Sequence, residues 1–182
     1  MIYKFRLVSD EADNFKREIS IDADATFLDL RNAICDSVGY DKNQMSSFFL
    51  CDNNWEKERE ITLEDMGMES SDVDVYLMED CQLIDQIEDE GQRLMFVFDY
   101  MTDRAFFIEL KKIEPMKTLK DPVCTLALGA PPPQFVDLKE FEEKIDTIST
   151  KDAGIDLDED LYGDDAYNDE DLENLSDDTE LY

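Results

Sequence analysis

The fold is decided by residues 1–39, MIYKFRLVSDEADNFKREISIDADATFLDLRNAICDSVG. Apolar side chains at positions 3, 5 and 7 alternate with Lys4 and Arg6. After a polar, turn-rich segment, Ile19 and Ile21 repeat the alternation. A period of two residues is typical of a strand with one buried face. These two stretches therefore predict a β-hairpin at the start of the chain.

A helix is predicted directly after this hairpin. Thr26 is a favourable N-cap, Asp29 follows three residues later as in a capping box, and apolar residues then recur at helical spacing as far as Gly39. Glycine at that position commonly adopts the left-handed conformation that ends a helix. A hairpin followed by a helix is the opening of a β-grasp, and we predict a β-grasp-like sheet here.

Further strands are predicted along the chain. Residues 47–51 and 73–77 have the short apolar or alternating character of strands, and a helical turn capped by Thr62 is expected between them. Residues 94–113 predict an added antiparallel hairpin, whose first strand is apolar on both faces and is therefore expected to be central. Another strand is expected over residues 122–128, followed by a rigid proline-rich break.

The composition changes towards the end of the chain. Apolar residues recur at helical spacing over residues 138–148 and predict a second main helix. Residues 151–182 carry 14 acids and one lysine, too much charge for a packed core, so we predict a disordered acidic tail. The whole is expected to be an α+β domain over residues 1–150, with a β-grasp-like mixed sheet and two main helices, followed by that tail.

The charge balance excludes several classes of protein. The 182 residues include 48 acids, 17 bases and no histidine, which gives a formal net charge of −31. Such a surface repels nucleic-acid phosphates and anionic membranes. The absence of histidine excludes Ser-His-Asp and Cys-His catalytic pairs and histidine-containing zinc sites. Because neither a signal peptide nor an apolar span of ~20 residues is found, we expect a cytoplasmic protein.

No cofactor or metal site is predicted. Asp156, Asp158 and Asp160 resemble the first ligands of a calcium loop, but Leu161 stands where glycine is needed and Tyr167 where a bidentate glutamate is needed. The six glycines are scattered and form no phosphate-binding loop.

The cysteines are predicted to be buried thiols. The chain has four cysteines, Cys35, Cys51, Cys81 and Cys124. Each lies inside or beside an apolar run, and no two form a CxxC pair. A reactive Cys124 is the alternative, but it would need a neighbouring cation or helix N-terminus.

Two local patterns indicate a family. Phe98-Asp99-Tyr100 ends one predicted strand, and the next strand ends in Ile108-Glu109-Leu110. Further along, Pro122-Val-Cys124 is followed by Gly129-Ala130 and then by Pro132-Pro133. In order and spacing these segments resemble the Ri-plasmid ORF-3-like family, which also takes in TnpR-type passenger proteins of transposons. The resemblance covers roughly residues 1–148 and implies a fold rather than a mechanism.

The chain also departs from that family's pattern. Where the family has glycine and aspartate, then tryptophan and histidine, this chain has Met101, Thr102, Arg104 and Phe106. A polar cluster implied by the resemblance is therefore missing. Asp99 is retained, and it is interpreted either as a ligand group in a cleft between two sheet halves or as a cap of its own turn.

Three functional hypotheses follow. The first is a non-enzymatic protein-interaction module in a bacterial plasmid or transposon setting, with a basic nucleic-acid-binding protein as one candidate partner. The second is an acidic decoy that imitates DNA phosphates. The third is a metal-dependent enzyme using carboxylates, for which the lack of histidine leaves little room.

Candidate contact residues lie in both parts of the chain. They are Asp99, Tyr100 and Cys124 in the body, and Leu161, Tyr162 and Tyr167 among the acids of the tail. An exposed aromatic patch is also expected within the set Phe48, Phe49, Trp55, Phe106 and Phe107.

Overall fold

The computed structural model of the chain describes residues 1–64 and 76–135. The chain divides into two units, Met1–Val136 and Asp137–Tyr182, and the structure described below is that of the first. The described residues form one eight-stranded mixed sheet and one α-helix. The elements are β1 (Ile2–Val8), β2 (Lys16–Asp22), α1 (Phe27–Val38), β3 (Ser47–Cys51), β4 (Lys57–Thr62), β5 (Tyr76–Leu77), β6 (Arg93–Asp99), β7 (Arg104–Glu114) and β8 (Val123–Leu128).

The sheet has the strand order β5-β4-β3-β6-β7-β1-β2-β8. Neighbours pair antiparallel except β4 and β5, which are parallel. The predicted α+β class is confirmed, and so is the central position of β6. The β-grasp-like arrangement is not confirmed, because β6 and β7 lie between β1–β2 and β3–β4–β5, the two halves predicted to form it. A strand that is apolar on both faces is typical of the interior of a sheet, in agreement with the central position of β6.

The helix begins and ends as the sequence predicts. The backbone N–H of Asp29 donates to Thr26 Oγ1 (3.2 Å), and the N–H of Thr26 donates to Asp29 Oδ2 (3.0 Å), which completes a capping box. Gly39 ends the helix in the left-handed conformation, with φ +73°. The predicted second helix, over residues 138–148, lies outside the described residues, as does the tail at 151–182.

Thr62, the predicted cap of a helical turn over residues 62–67, is the last residue of β4, and residues 65–67 of that turn lie outside the described residues. The first four residues of β4, Lys57 to Glu60, are charged and exposed, and only Ile61 is fully buried. A strand without apolar alternation gives no signal of its own in the sequence. Most of the strand predicted over 73–77 lies outside the described residues, and β5 forms its described end.

The two faces of the sheet have different surroundings. Successive strand residues point to opposite faces, so each strand contributes to both. One face, called here the covered face, packs against α1: the Phe27 ring contacts Phe48 (centroids 5.4 Å apart), and Phe48 contacts Phe96 (4.9 Å). The fully buried side chains of the covered face include Phe5, Leu7, Ile19, Ile21, Phe48, Phe96, Phe106 and Ile108.

Strand β8 is the outer strand beside β2, and none of the described residues pairs with its free edge. It reads VCTLAL and carries no charge, although natural edge strands usually carry a charge or a proline. Val123 and Leu128 are about half exposed. Cys124 is exposed as well, so the prediction of a buried thiol is wrong there, whereas Cys35, Cys51 and Cys81 are buried as predicted.

Candidate functional site

Asp99 caps the turn between β6 and β7. Its carboxylate accepts hydrogen bonds from the Met101 backbone N–H (2.9 Å) and from the Thr102 hydroxyl (2.7 Å). Arg104 pairs with Asp99 across the turn, and the two charged groups lie 3.8 Å apart. These contacts are those of the turn-capping interpretation made from the sequence.

Tyr100 joins the same turn to the neighbouring strands. Its hydroxyl forms a hydrogen bond with Ser47 Oγ and donates another to Glu60 Oε1 (3.1 Å). Partial burial raises the pKa of the phenol above its usual value. The hydroxyl is thus occupied by contacts within the fold, while 46% of the residue is exposed.

The remaining sequence-predicted residues do not join these two. Cys124 lies on β8, which β7, β1 and β2 separate from β6. At about 4.8 Å per strand, this places it roughly 19 Å from β6. Leu161, Tyr162 and Tyr167 lie outside the described residues.

Arg104 holds the turn region together from a buried position. Its Nε donates to both carboxylate oxygens of Glu11 (2.9 Å each), and its Nη2 donates to the Pro133 carbonyl (2.8 Å). Arg104 is one of the positions at which the chain lacks the polar cluster implied by the family resemblance. In this chain the guanidinium of Arg104 links the β1–β2 loop to the proline-rich segment 129–135.

The second face, called here the open face, carries a partly exposed apolar row. The row runs across four strands, since Phe49 pairs with Met95, Met95 with Phe107, and Phe107 with Val8. These side chains point away from α1. Of the aromatic residues among which the sequence predicts an exposed patch, Phe49, Trp55 and Phe107 are half-buried, whereas Phe48 and Phe106 are buried on the covered face.

Trp55, the single tryptophan of the chain, lies on this row in a strained conformation. Its φ is +68°, which is rare for a bulky side chain. The loop is held by Asp52, whose Oδ1 accepts from the N–H groups of Asn54 (2.7 Å) and Glu56 (2.9 Å). The indole meets Phe107 edge to face, with ring centroids 5.0 Å apart. Strain of this kind is often found at functional sites.

Two cations lie over the aromatic rings of the open face. The Lys57 ammonium is 4.6 Å from the centroid of Phe49, and the Arg93 guanidinium is 5.0 Å from that of Trp55. Both distances are within the range of cation–π attraction. Lys57 also pairs with Asp103 (2.9 Å).

A cavity of about 270 Å³ opens where the apolar row meets the β6–β7 turn. We call it the open-face cavity, and its lining residues are Asp10, Glu11, Lys57, Met95, Thr102, Asp103, Arg104, Ala105 and Phe107. Neither Asp99 nor Tyr100 lines it. The sequence pointed to the turn but not to Met95, Lys57 or the β1–β2 loop, because only the sheet order brings those residues together.

The described part of the chain has neither a cluster of metal-ligating side chains nor a membrane-spanning helix. Over residues 1–64 and 76–135, no three acidic or cysteine side chains converge as a metal site would require. Within the same residues, no helix has the length and apolar character needed to cross a bilayer.

The fold and this face define a class: an α+β protein with an eight-stranded sheet covered on one side by a helix and bearing an aromatic row on the other. Over residues 2–174 the chain matches the plasmid pRiA4b ORF-3-like protein family. It belongs to that family, as the resemblance in the sequence indicated.

One solved structure supports the fold. It is the crystal structure of MM3350, a protein of unknown function from Methanosarcina mazei Go1, which is similar with a TM-score of 0.59 and 19% identity. The similarity covers 85% of this chain and 84% of that one. At this identity it concerns the fold alone. No curated protein matches the chain.

Proposed function

We propose that the chain is a non-enzymatic protein-interaction module that binds a partner protein through the open face. The observation that carries this proposal is the placement of Trp55, held at φ +68° against Phe107 on a partly exposed apolar row. Tryptophan and other aromatic residues are enriched among the residues that dominate binding energy at interfaces. A loop that holds the only tryptophan of the chain in a strained conformation at the surface is better explained by binding than by stability.

The expected partner is a basic protein whose contact segment is apolar. The net charge of −31 would attract a basic partner and accelerate the encounter, whereas burial of the apolar row would supply affinity. The family's plasmid name supports a plasmid-linked setting, of which a nucleic-acid-binding protein is one candidate partner. The DNA-decoy alternative has less support on this face, because Arg6, Lys57 and Arg93 interrupt any array of carboxylates there.

An affinity capture tests the proposal. Full-length protein, Phe107→Glu and Met116→Glu would be incubated with nuclease-treated lysate of the source organism, and retained proteins quantified by mass spectrometry. Met116 is 99% exposed and lies beyond the end of β7, nine positions after Phe107, so its variant is a control for the added charge. We expect Phe107→Glu to reduce retention of a specific partner at least about tenfold and Met116→Glu to leave it unchanged.

Two results would contradict the proposal. One is that all three proteins retain the partner equally. The other is that Met116→Glu reduces retention of the partner as much as Phe107→Glu does. Far-UV circular dichroism of each variant verifies that the fold is intact. With an identified partner, the single tryptophan allows a direct fluorescence titration at the open face.

A further inference from the structure

We propose that the open-face cavity receives the side chain of an arginine or lysine from the partner. This inference rests on the proposed function and specifies its central contact. The cavity joins an apolar floor to an acidic rim, which is the combination that a long cationic side chain requires.

The floor fits the stem of such a side chain. Met95, Ala105 and Phe107 line the cavity, and they lie on the open face of β6 and β7. Lysine and arginine bury their methylene stems along apolar surface while the charged end stays polar. A guanidinium also stacks favourably on an aromatic ring. The volume of about 270 Å³ lies below the usual range for small-molecule pockets, which begins near 300 Å³, and suits one side chain.

The charges at the rim favour a cation. Of the two cations there, Arg104 is already engaged by Glu11 (2.7 Å) and by the Pro133 carbonyl, and Lys57 is engaged by Asp103. Asp10 makes no ion pair with any of the described residues, so one carboxylate at the rim is uncompensated. With three carboxylates and two cations, the rim has a net charge of −1, which disfavours an anionic group.

The Lys57–Asp103 pair can adjust to the arriving cation. Asp103 is 75% exposed, so its pairing with Lys57 is a surface ion pair of small net energy. The ammonium of Lys57 is also held over the Phe49 ring, 4.6 Å from the centroid. Asp103 can therefore turn towards an incoming guanidinium while Lys57 keeps its aromatic contact.

Methyl NMR of the full chain tests this inference. The protein labelled with [¹³C-methyl]methionine would be titrated with the capped peptide acetyl-Gly-Arg-Gly-amide and with the same peptide containing citrulline, which has a similar shape but no charge. We expect a saturable shift of the Met95 methyl with the arginine peptide and no shift of the exposed Met116. The citrulline peptide should bind about tenfold more weakly.

Substitutions at the rim sharpen the test. Asp10→Asn and Asp103→Asn should each weaken binding of the arginine peptide about threefold. Asp121→Asn, on the exposed segment before β8, should leave this binding unchanged. Three results would overturn the inference: equal binding of both peptides, a shift of Met116 as large as that of Met95, or an equal loss in Asp121→Asn, which would indicate general attraction to an acidic protein.

The two proposals fail in different ways. If capture of the partner depends on Phe107 but the arginine peptide does not shift the Met95 methyl signal, the open face is supported as the interaction face and the cation pocket is contradicted. If Phe107→Glu retains the partner, the interaction face itself is wrong, whatever the peptide does.

Discussion

Both faces of the sheet carry phenylalanine side chains, but these are buried on one face and partly exposed on the other. Phe106 and Phe107 are consecutive in β7, yet Phe106 is fully buried on the covered face and Phe107 is partly exposed on the open face. The covered face is closed by α1 and, at one end, by segment 129–135, where Tyr40 donates to the Pro132 carbonyl (2.6 Å). Residue type alone therefore does not separate the residues that stabilise this fold from those available for binding. Their position relative to α1 does.

The largest difference in the free energy of unfolding should be that between the alanine variants of Phe106 and Phe107. Phe106→Ala removes a ring that contacts Phe15, Tyr40 and Phe98, and should cost about 3–5 kcal/mol of the free energy of unfolding. Phe107→Ala should cost less than about 2 kcal/mol, since part of its surface is already hydrated. Urea denaturation followed by far-UV circular dichroism measures both. Equal costs would mean that the open face is as buried as the covered one.

A second contrast tests how the end of the covered face is closed. Arg104→Met leaves the Glu11 carboxylate and the Pro133 carbonyl without their donor, and should cost about 2–3 kcal/mol. Arg59→Met is the control: Arg59 is exposed on β4, where it contacts Gln86 and the Tyr76 ring, and the loss of these surface contacts should change the free energy of unfolding by about 1 kcal/mol or less. Arg104→Lys should recover only part of the loss, because lysine lacks the planar fork of donors. A loss in Arg59→Met as large as that in Arg104→Met would contradict this role.

Segment 129–135 offers a smaller, more local test. A Cβ at Gly129 would lie 2.7 Å from the Asn14 carbonyl oxygen, in addition to the cost of φ +67°. Gly39 has a similar φ, +73°, with no other atom within 4 Å of the added Cβ. Gly39→Ala should therefore cost about 1 kcal/mol and Gly129→Ala about 2 kcal/mol. Thermal unfolding of the two variants compares them, and identical values would show that the segment moves freely to relieve the clash.

The smallest effect concerns an ion cluster at the edge of the open face. Hydrogen bonds from Lys4 (2.8 Å) and then Lys117 (2.9 Å) lower the pKa of Glu114 from its ordinary 4.5 to about 2. A carboxylate with a depressed pKa stabilises the fold above pH 4.5, and this contribution is lost as the pH falls from 4.5 towards 2.

Glu114→Gln should therefore flatten the decline in stability between these two pH values. Unfolding by urea at a series of pH values measures the slope. Asp121→Asn is the matched control, since it removes a charge without removing such a cluster, and it should keep the wild-type slope. A wild-type slope in Glu114→Gln as well would contradict the role of the cluster.

The sequence predicts individual elements better than their arrangement. Alternation along β1, β2 and β7 identifies which side chains are buried, because one face of each strand is covered. It does not say which strands are neighbours, and so the insertion of β6 and β7 between the two halves of the expected β-grasp could not be read from it. Strand β4 was not predicted, because its charged residues, Lys57 to Glu60, are all exposed and show no alternation of apolar and polar side chains.

The candidate site was predictable only in part. The sequence identified the aromatic set that contains Phe49, Trp55 and Phe107. The left-handed backbone of Trp55, which directs the indole onto Phe107, depends on hydrogen bonds that only the folded loop provides. The open-face cavity depends on strand order as well, because Asp10 and Asp103 lie 93 positions apart in the chain.

The uncharged edge of β8 has a consequence for colloidal behaviour. No charge within VCTLAL opposes the pairing of this edge strand with the edge strand of another molecule, so the acids distributed over the rest of the chain act as the barrier to aggregation. That barrier is large at neutral pH, where the net charge is −31, and disappears near the isoelectric point of about 4.1. We expect light scattering to rise sharply there, and a Thr125→Lys substitution, which places a charge on the edge itself, to suppress the rise.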